Sequence, residues 1–351
     1  MFKKNIEINK FKNININDPF FDSLKNSCQE FENWFAKKSD DEAYLMKDEE
    51  GLIQAFLYIK EEKGEVGDVK PPLPKDQYLK VGTFKINPHG TKLGERFIKK
   101  IFDNALSKGI KKIYVTIFPD HQELIQLLEK FGFEKYGHKK TKNGVEDVLL
   151  KQIDKISNEV ELDYPIINLN RKQYLIGIYP AYHTRLFPDS ILHNEDAKII
   201  DDVSHTNSIQ KIYICRMKNV EYLKRGDALV IYRTKDEKGS AWYRSVATSL
   251  CVVQEVKNKH EFDSLDHFLE YCLPLSVFSE QELKEYYKTW GKLVTIKMTY
   301  NAALHNRIIM KQLVEKIGLN KDDYWGFRSI TEDQFRHIAK LGGVDESFIV
   351  N

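Results

Sequence analysis

The spacing of hydrophobic and polar positions changes several times along the chain, and each change predicts a new element. An Asp-Pro pair at positions 18 and 19 opens a stretch with near-helical apolar spacing, which predicts a helix. Its apolar residues are Phe20, Leu24, Phe31, Trp34 and Phe35. The runs AYLM and LIQAFLYIK flank the turn KDEEG and predict two strands. The following stretch, GEVGDVKPPLPKD, carries three prolines and predicts a loop.

The segment up to Ile153 continues this alternation of strands and helices. YLKVGTFKI predicts a strand, and the helix predicted after it ends at Gly109. One apolar face of that helix holds Leu93, Phe97, Ile98, Ile101, Phe102, Ala105 and Leu106. KKIYVTIF, HQELIQLLEKFG and VEDVLLKQI then predict a strand, a short helix and a last strand after the turn TKNG. This order of elements predicts a mixed α/β domain over residues 1–153.

The rest of the chain has a different pattern. Residues 154–170, KISNEVELDYPIINLNR, predict a linker. Beyond them YLIGIYP, KIYICRM, DALVIYRT, WYRSVATSLCVVQEV and LVTIKMTY predict strands, with RTKDEKGSAW as a hairpin turn. SLDHFLEYCL, SEQELKEYYKTW and NRIIMKQLVEKIG predict helices. Residues 171–351 are therefore expected to form an α+β domain, a small β-barrel with helical insertions.

Composition and charge narrow the classes of function. The formal net charge of the 351 residues is +2, with 27 basic and 24 acidic residues up to Ile153 and 27 and 28 after it. Neither half offers a bulk electrostatic argument for nucleic-acid binding. The four cysteines show no CxxC spacing, which predicts no metal site or disulfide framework and fits a reducing cytoplasm. No apolar run approaches the ~18 residues of a membrane span, so we expect a soluble cytoplasmic protein.

The stretch INPHGTKLGERF connects the strand YLKVGTFKI to the following helix and suggests an anion site. The first turn of a helix leaves backbone N–H groups unpaired, and the helix dipole favours negative charge there. Gly90 and Gly94 would let a diphosphate approach the backbone, while Lys92 and Arg96 add positive charge. The alternative is an ordinary strand-to-helix loop capped by Thr91.

The block from Lys80 to Phe133 resembles the acetyl-CoA-binding core of the GNAT N-acetyltransferase superfamily. The family's loop pattern, Gln/Arg-x-x-Gly-x-Gly/Ala, aligns with residues 89–94, where the last glycine matches and His89 and Lys92 depart. IYVTIFPDHQELIQLLEKFGF matches the family's second block. The resemblance covers residues 1–153 and implies acetyl-CoA as cofactor. The residues it implies for cofactor binding are Thr83, Phe84, His89, Gly90, Thr91, Lys92, Leu93, Gly94 and Glu95. We expect a bulky residue in place of Gly94 to abolish that binding and leave the fold intact.

The same resemblance leaves the proton donor open. Many family members place a tyrosine acid where this chain has Leu128, and leucine cannot donate a proton. The catalytic candidates are His121, at a strand-to-helix junction, and Tyr136, after the closing Gly-Phe. Their alternatives are a solvent-facing helix start and a packed strand residue. Glu61 and Glu62 are further candidates for a base in the substrate cleft, or form an acidic loop end.

GDALVIY, at Gly226–Tyr232, resembles the turn into a barrel strand of PUA-like domains of the EVE/ASCH kind. This resemblance spans roughly residues 171–340 and implies a cleft for RNA or a modified nucleobase, lined by aromatic and basic residues. Besides Tyr179, the implied nucleic-acid-binding residues are His183, Arg185, Arg233, Trp242, Arg244, Trp325 and Arg328. The alternative is that these aromatic residues form a barrel core with arginines at its rim.

The two resemblances together predict an acetyl-CoA-dependent N-acetyltransferase. Its acceptor is expected to be an amine on an RNA-linked or RNA-associated molecule recruited by the PUA-like domain. Two alternatives stay open: a non-catalytic ligand-sensing or RNA-binding regulator, and a toxin or defence enzyme that acetylates aminoacyl-tRNA. The sequence leaves the acceptor, the general acid and base, and the oligomeric state undetermined.

Overall fold

The predicted strands and helices of the first 153 residues assemble around one seven-stranded sheet. The structure, a computed structural model, describes residues 6–87, 92–187 and 208–351. It divides the chain into two units, Met1–Ile153 and Asp154–Asn351, each of which is described by itself. Among the described residues, no helix is long and apolar enough to cross a membrane.

In its described residues, 6–87 and 92–153, the first unit contains seven strands and four helices. Its strands are β1 (Glu7–Lys10), β2 (Glu42–Lys47), β3 (Ile53–Val66), β4 (Leu73–Ile86), β5 (Lys112–Ile117), β6 (Glu134–Thr141) and β7 (Gly144–Gln152). Its helices are α1 (Asp22–Ser27), α2 (Phe31–Lys37), α3 (Leu93–Ser107) and α4 (Gln122–Lys130).

The sheet has the order β1-β2-β3-β4-β5-β7-β6, in which β4 and β5 are parallel and the other neighbours antiparallel. Strand alternation sends Phe56 and Tyr58 to one face, where they pack with aromatic residues of α2 and of the turns before α1. The other face meets α3, where the rings of Phe84 and Phe97 stack at 6.1 Å. Two covered faces explain why the central strands are apolar on both sides.

β3 and β4 are longer than the sequence pattern predicts. The stretch GEVGDVKPPLPKD was expected to be a loop, but the two strands stay paired as far as Val66 and Leu73, and only residues 67–72 turn. Val66, Val69 and Leu73 are buried against Tyr78 and other residues of the sheet. Burial of these apolar side chains keeps the segment extended despite its prolines.

The segment that joins β3 to β4 crosses the sheet face and reaches the far edge. Lys70 and His138, on β6, exchange two backbone hydrogen bonds of 2.8 and 2.9 Å. This bridge covers Tyr114 and Val148 on the sheet below. We call residues 66–73 the crossing segment.

Three local expectations for this unit need correction. The helix expected over residues 18–38 is interrupted near Cys28–Glu30, where α1 ends and α2 has not begun. Asp18 still acts at its start, because its side chain accepts a 2.9 Å hydrogen bond from the Phe20 N–H. The sequence pattern also misses β1 and β6, which are short or polar edge strands in which few side chains are buried.

The second unit contains eight strands and seven helices among the residues described. The strands are β8 (Ile167–Asn168), β9 (Gln173–Ile178), β10 (Gln210–Cys215), β11 (Ala228–Arg233), β12 (Val246–Asn258), β13 (Val294–Ile309), β14 (Phe327–Ile330) and β15 (Ile349–Val350). The helices are α5 (Val160–Asp163), α6 (Pro180–Leu186), α7 (Ala241–Arg244), α8 (Leu265–Cys272), α9 (Glu280–Thr289), α10 (Met310–Glu315) and α11 (Glu332–Leu341).

Six of these strands form one sheet in the order β10-β13-β12-β11-β9-β14. β9 and β11 run parallel over their whole length, and the other neighbours are antiparallel. Two hydrophobic cores lie on opposite faces, one with α6, α8 and α9 and the other with α10 and α11. The mixed α/β and α+β fold class expected from the sequence is confirmed.

Two segments of the second unit differ from expectation. Residues 154–170, expected to be a linker, contain α5 and β8 and bury Tyr164 and Ile167 in the second unit. β8 pairs with β15 at the end of the chain. NRIIMKQLVEKIG, expected to be a helix, continues β13 to Ile309 and turns helical only at Met310. Pairing of Ile308 and Ile309 with β12 favours the strand over the helical spacing.

Candidate functional site

An opening between the two parallel strands is the main feature of the first unit. β4 and β5 pair from Tyr78 with Lys112 to Val81 with Val115, and then they part. Beyond that point β4 pairs only with β3 and β5 only with β7, among the residues described. Gly82 forms a bulge at the parting and is exposed. One backbone edge of β4 is therefore open to a ligand from Gly82 to Ile86.

The cofactor-binding residues expected from the sequence lie along this edge and the helix after it. Thr83 and Phe84 are on the open part of β4. Leu93 begins α3 and is buried, and Glu95 in its first turn forms ion pairs with Lys130, at 2.9 Å, and Lys92, at 3.7 Å. His89, Gly90 and Thr91 lie outside the described residues.

Gly94 has a packing role that the sequence did not reveal. A Cβ at this position would lie 2.5 Å from Leu127 Cδ2 on α4, closer than real contacts allow. The glycine therefore permits the close approach of α3 to α4. A bulky residue at position 94 would have to push the Leu127 side chain aside, so a loss of cofactor binding in such a variant must be separated from a change in helix packing.

A polar cluster lies on the sheet face beside the opening. The Tyr114 hydroxyl donates a short hydrogen bond to Glu62 Oε2, which joins β5 to β3 across β4. Glu62 Oε1 lies 2.5 Å from Lys60 Nζ and 3.7 Å from Lys80 Nζ. The Lys80 ammonium also lies 5.2 Å from the centre of the Tyr114 ring. Lys80 and Tyr114 form the register pair next to the last one before the strands part.

Burial and neighbouring charges shift the pKa values of this cluster. Burial, which opposes the charged form, is the largest single influence on the pKa of Glu62, but Lys60, Tyr114 and Lys80 outweigh it and lower that pKa. Burial and then the Glu62 hydrogen bond raise the pKa of Tyr114, which keeps its proton. Burial lowers the pKa of Lys80, assisted by the charges of Lys139 and Lys60.

The cluster interrupts an otherwise apolar sheet face. On one side Phe56 and Tyr58 pack beneath α1 and α2. On the other side Tyr78 and Val148 pack beneath the crossing segment. Charged groups partly buried in the middle of such a face carry a desolvation cost, which is a common property of functional sites. The cluster is therefore a candidate functional site.

The structure locates each catalytic candidate from the sequence. His121 is exposed at the start of α4, and its side chain makes no capping hydrogen bond. Tyr136 donates its hydroxyl to the Pro72 carbonyl at 2.9 Å, and Leu128 is fully buried. Glu61 is exposed and pairs with Lys108 at 2.8 Å, whereas its neighbour Glu62 joins the polar cluster.

Sequence reasoning missed Lys60, Lys80 and Tyr114. The available signal was a lysine inside the apolar strand YLKVGTF and a tyrosine inside KIYVTI. Period-two alternation places each on a defined face, but which strands are neighbours is set by the tertiary fold. The sequence therefore shows that these polar residues lie within apolar strands, but it does not show that they contact one another.

In the second unit, several predicted nucleic-acid-binding residues meet beyond the ends of the parallel strands β9 and β11. His183, on α6, is fully buried, and its Nε2 lies 2.7 Å from Thr248 Oγ1. Its Nδ1 has no hydrogen-bond partner in the part of the chain that the structure describes. Burial, reinforced by the charges of Arg233 and Arg307, lowers the pKa of His183 to about 3. The imidazole is neutral in the native protein at ordinary pH.

The other predicted residues of this group are divided among local contacts. Arg233 Nη1 donates to the Arg244 carbonyl at 3.5 Å, and Arg244 also forms a bidentate ion pair with Asp236. The Trp325 ring packs on Tyr232 at 5.1 Å, and Arg328 lies over Trp325 at 5.4 Å.

Three further aromatic and basic residues complete the comparison with the prediction. Trp242 lies on α7 and is partly exposed, and Arg185 donates to the Val277 carbonyl. Tyr179 is 67% exposed at the start of α6, and Tyr324, not predicted, is 62% exposed beside Trp325. Tyr179 follows the last residue of β9, and the Gly177 N–H donates to the Gly326 carbonyl at 2.7 Å, so both tyrosines lie at the same end of this strand.

A separate groove of about 740 Å³ lies elsewhere in the second unit. Glu161, Arg225 and Gln254 line it, and they bond to one another: Arg225 pairs with Glu161, and Gln254 donates to Glu161 at 2.7 Å. None of the predicted nucleic-acid-binding residues lines this groove. Its polar groups satisfy each other, so it offers no evident ligand chemistry.

Comparison with known proteins gives structural likeness only. No family model matches the chain. No curated protein sequence matches it either. Among solved structures, the ASCH protein from Zymomonas mobilis is 12% identical, with a TM-score of 0.34, over 49% of this chain and 96% of its own.

Two further solved structures each match 42–43% of the chain. A GNAT family acetyltransferase from Elizabethkingia anophelis, solved with acetyl-CoA bound, is 14% identical over 43% of this chain and 99% of its own, with a TM-score of 0.29. The NatC complex bound to Gag peptide and CoA is 11% identical over 42% and 98%, with a TM-score of 0.30. GNAT-like and ASCH-type PUA-like folds, the two resemblances drawn from the sequence, both recur in these matches.

Proposed function

We propose that the chain is an acetyl-CoA-dependent N-acetyltransferase whose acceptor amine belongs to an RNA-linked or RNA-associated molecule. The observation that carries this proposal is the parting of β4 and β5 after Val81 and Val115, which opens a backbone edge leading into α3. An open strand edge offers N–H and C=O groups to an extended, amide-containing ligand. The pantetheine arm of coenzyme A is such a ligand.

The residues present suit this acyl donor. Backbone groups of β4 from Gly82 to Ile86 would hold the pantetheine amides. The N–H groups at the start of α3, a helix of fifteen residues, and the positive end of its dipole would face the diphosphate. Lys92, directly before α3, adds a positive charge there. When bound, acetyl-CoA supplies an acetyl group activated as a thioester.

The polar cluster supports an acceptor site on the opposite face of the sheet from α3. An ammonium acceptor needs a negative partner and a group that removes its proton before attack. The Glu62 carboxylate, ionised because its pKa is lowered, supplies the negative charge. The Tyr114 hydroxyl fixes its orientation.

The exposed aromatic surface of the second unit supports recruitment of RNA. Tyr179 and Tyr324 offer uncovered rings at the end of the sheet where Arg233 and Arg244 lie. Stacking of a base on an aromatic ring is worth ~1–3 kcal/mol and needs no strongly basic surface. This fits a unit whose acidic and basic residues nearly balance.

Calorimetric titration with acetyl-CoA tests the donor site. Gly94→Ala is expected to weaken binding, but it also presses on Leu127, so the double variant Gly94→Ala/Leu127→Ala serves as the control that restores the space. Binding still lost in the double variant assigns Gly94 to the ligand. Binding restored there assigns the glycine to helix packing alone, and no binding by the wild type would refute the proposal.

Transfer is tested with radiolabelled acetyl-CoA and four acceptor probes: spermidine, a pool of lysine-containing peptides, uncharged tRNA and aminoacyl-tRNA. Labelled RNA is the expected result, and label on aminoacyl-tRNA alone would select the toxin-like activity. Binding of acetyl-CoA without label on any probe would select the non-catalytic sensor.

RNA recruitment is tested by filter binding of tRNA to Tyr179→Ala/Tyr324→Ala. Because both rings are exposed, the double variant should keep its melting temperature and lose about tenfold or more in affinity. Unchanged affinity would remove these two rings from the RNA site. Tyr222→Ala/Tyr243→Ala, which removes two other exposed rings, is the matched control.

A further inference from the structure

We propose that Lys80 is the catalytic residue that carries the proton during acetyl transfer, positioned by Glu62 and Tyr114 where β4 and β5 part. The inference rests on the proposed function. Lys80 lies one register pair before the opening, on the same face as the polar cluster. Its side chain is only 14% exposed and lies between the Glu62 carboxylate and the face of the Tyr114 ring.

The chemistry of transfer requires one proton to move between two atoms. The acceptor nitrogen forms a bond to the acetyl carbonyl carbon, and the carbon–sulfur bond breaks with its electron pair on sulfur. The nitrogen must lose a proton and the sulfur must gain one. A neutral amine at Lys80 Nζ takes the first proton and returns it to the sulfur. Lys80 is thus a neutral amine again at the end of each catalytic cycle.

The other members of the cluster are less suited to this role. Glu62 holds Lys60 and Tyr114, and its lowered pKa makes its carboxylate a weak base. Tyr114 keeps its proton because its pKa is raised. A lysine withdrawn from water is the side chain whose amine is most readily made neutral.

The charges that face Lys80 come from four elements and have opposite effects. Glu62 on β3 and Asp68 in the crossing segment raise the pKa of Lys80. Lys60 on β3 and Lys139 on β6 lower it, while Tyr114 on β5 contributes the ring beneath the ammonium group. Glu62→Gln should therefore lower the pKa of Lys80, and Lys139→Met should raise it.

A first test needs no acceptor and no activity. The lysine side chains are labelled with ¹³C at Cε, and NMR follows their titration, with Lys80→Arg identifying the Lys80 signal. We expect Lys80 to titrate below the ordinary lysine range, lower still in Glu62→Gln and higher in Lys139→Met. A titration together with the exposed lysines, unmoved by either variant, would overturn the inference.

A second test is kinetic and uses the four acceptor probes named above. Lys80→Arg places a permanently protonated group at this position that cannot accept a proton, so kcat/KM should fall by roughly 10²–10⁴-fold. Acetyl-CoA affinity and melting temperature should be unchanged. Lys142→Arg, which alters an exposed lysine outside the polar cluster, is the matched control and should retain activity.

The pH profile separates a chemical role from a structural one. The acidic limb of kcat/KM should shift to lower pH in Glu62→Gln and to higher pH in Lys139→Met, in parallel with the NMR titrations. An active wild type with an equally active Lys80→Arg would refute this inference alone. A wild type inactive on every probe would refute the proposed function, and the role of Lys80 with it.

Discussion

Each of the two large sheets contains one parallel pair of strands among the described residues, and ionisable side chains collect beside both pairs. In the first unit β4 and β5 part after Val81 and Val115, and the cluster beside them stays partly exposed. In the second unit β9 and β11 stay paired to their last residues, Ile178 and Arg233. There His183 is completely buried.

Ionisable side chains beside a parallel pair of strands can therefore serve either ligand chemistry or folding stability. Where the strands part, backbone groups and ion pairs remain reachable, and pKa shifts there influence chemistry. Where the strands stay together, burial keeps the imidazole of His183 neutral, and the lowered pKa makes the free energy of unfolding depend on pH. Changes in the open region should therefore alter transfer more than folding, and changes in the closed region the reverse.

The largest expected effect on folding concerns the contact between β6 and the crossing segment, which lies beside the open region. Gly137→Ala on β6 would place a Cβ 2.2 Å from the Lys70 carbonyl oxygen, which is backbone and has little freedom to move. We expect the free energy of unfolding to fall by about 3 kcal/mol, measured by denaturant titration. Gly291→Ala, at a position with nothing nearby, should change little. Equal effects of the two variants would show that the crossing segment is not held as described.

The next effect concerns the closed region and its dependence on pH. The pKa of His183 is about 3 in the native protein against 6.5 in the unfolded chain, so below pH 6.5 only the unfolded chain takes up this proton. Stability should therefore fall by about 2 kcal/mol between pH 6.5 and 5. His183→Gln should flatten that slope. An identical slope in the wild type and in His183→Gln would contradict the buried neutral imidazole.

A smaller effect tests the hydrogen bond across β4. Tyr114→Phe removes the hydroxyl that reaches Glu62, and we expect unfolding to cost about 1 kcal/mol less. The pKa of Glu62 should rise because it loses a donor. Tyr136→Phe, which removes a hydroxyl bonded to the Pro72 carbonyl, is the control and should not affect Glu62. Carboxylate titration by NMR checks both, and an unmoved Glu62 in Tyr114→Phe would disprove the contact.

The smallest effect compares two neighbouring glutamates. Glu61→Gln removes an exposed partner of Lys108 and should change neither the melting temperature nor acetyl transfer. Glu62→Gln alters the polar cluster and should lower transfer. Melting curves and initial rates of both variants, measured side by side, check this. Similar losses in the two would remove the distinction between an exposed pair and a site.

The sequence predicted most of the helices and strands but less of the site. Apolar spacing indicated α3, β5 and β11, and the loop after β4 pointed to a ligand near the start of α3. Glu62 was a candidate among others, while Lys80 and Tyr114 were not considered. Their neighbours in the cluster come from strands up to fifty-two residues away along the chain, a separation that no local pattern encodes.

What the sequence determined by itself is local: where strands and helices form, and the two resemblances that divide the chain near Ile153. The tertiary structure decided which strands run side by side, that β4 and β5 part, and that the crossing segment reaches β6 through Lys70. It also decided that Gly94 serves the contact with Leu127. The physical reason is that spacing along a chain fixes which face a side chain takes, whereas only packing between distant strands fixes what that face meets.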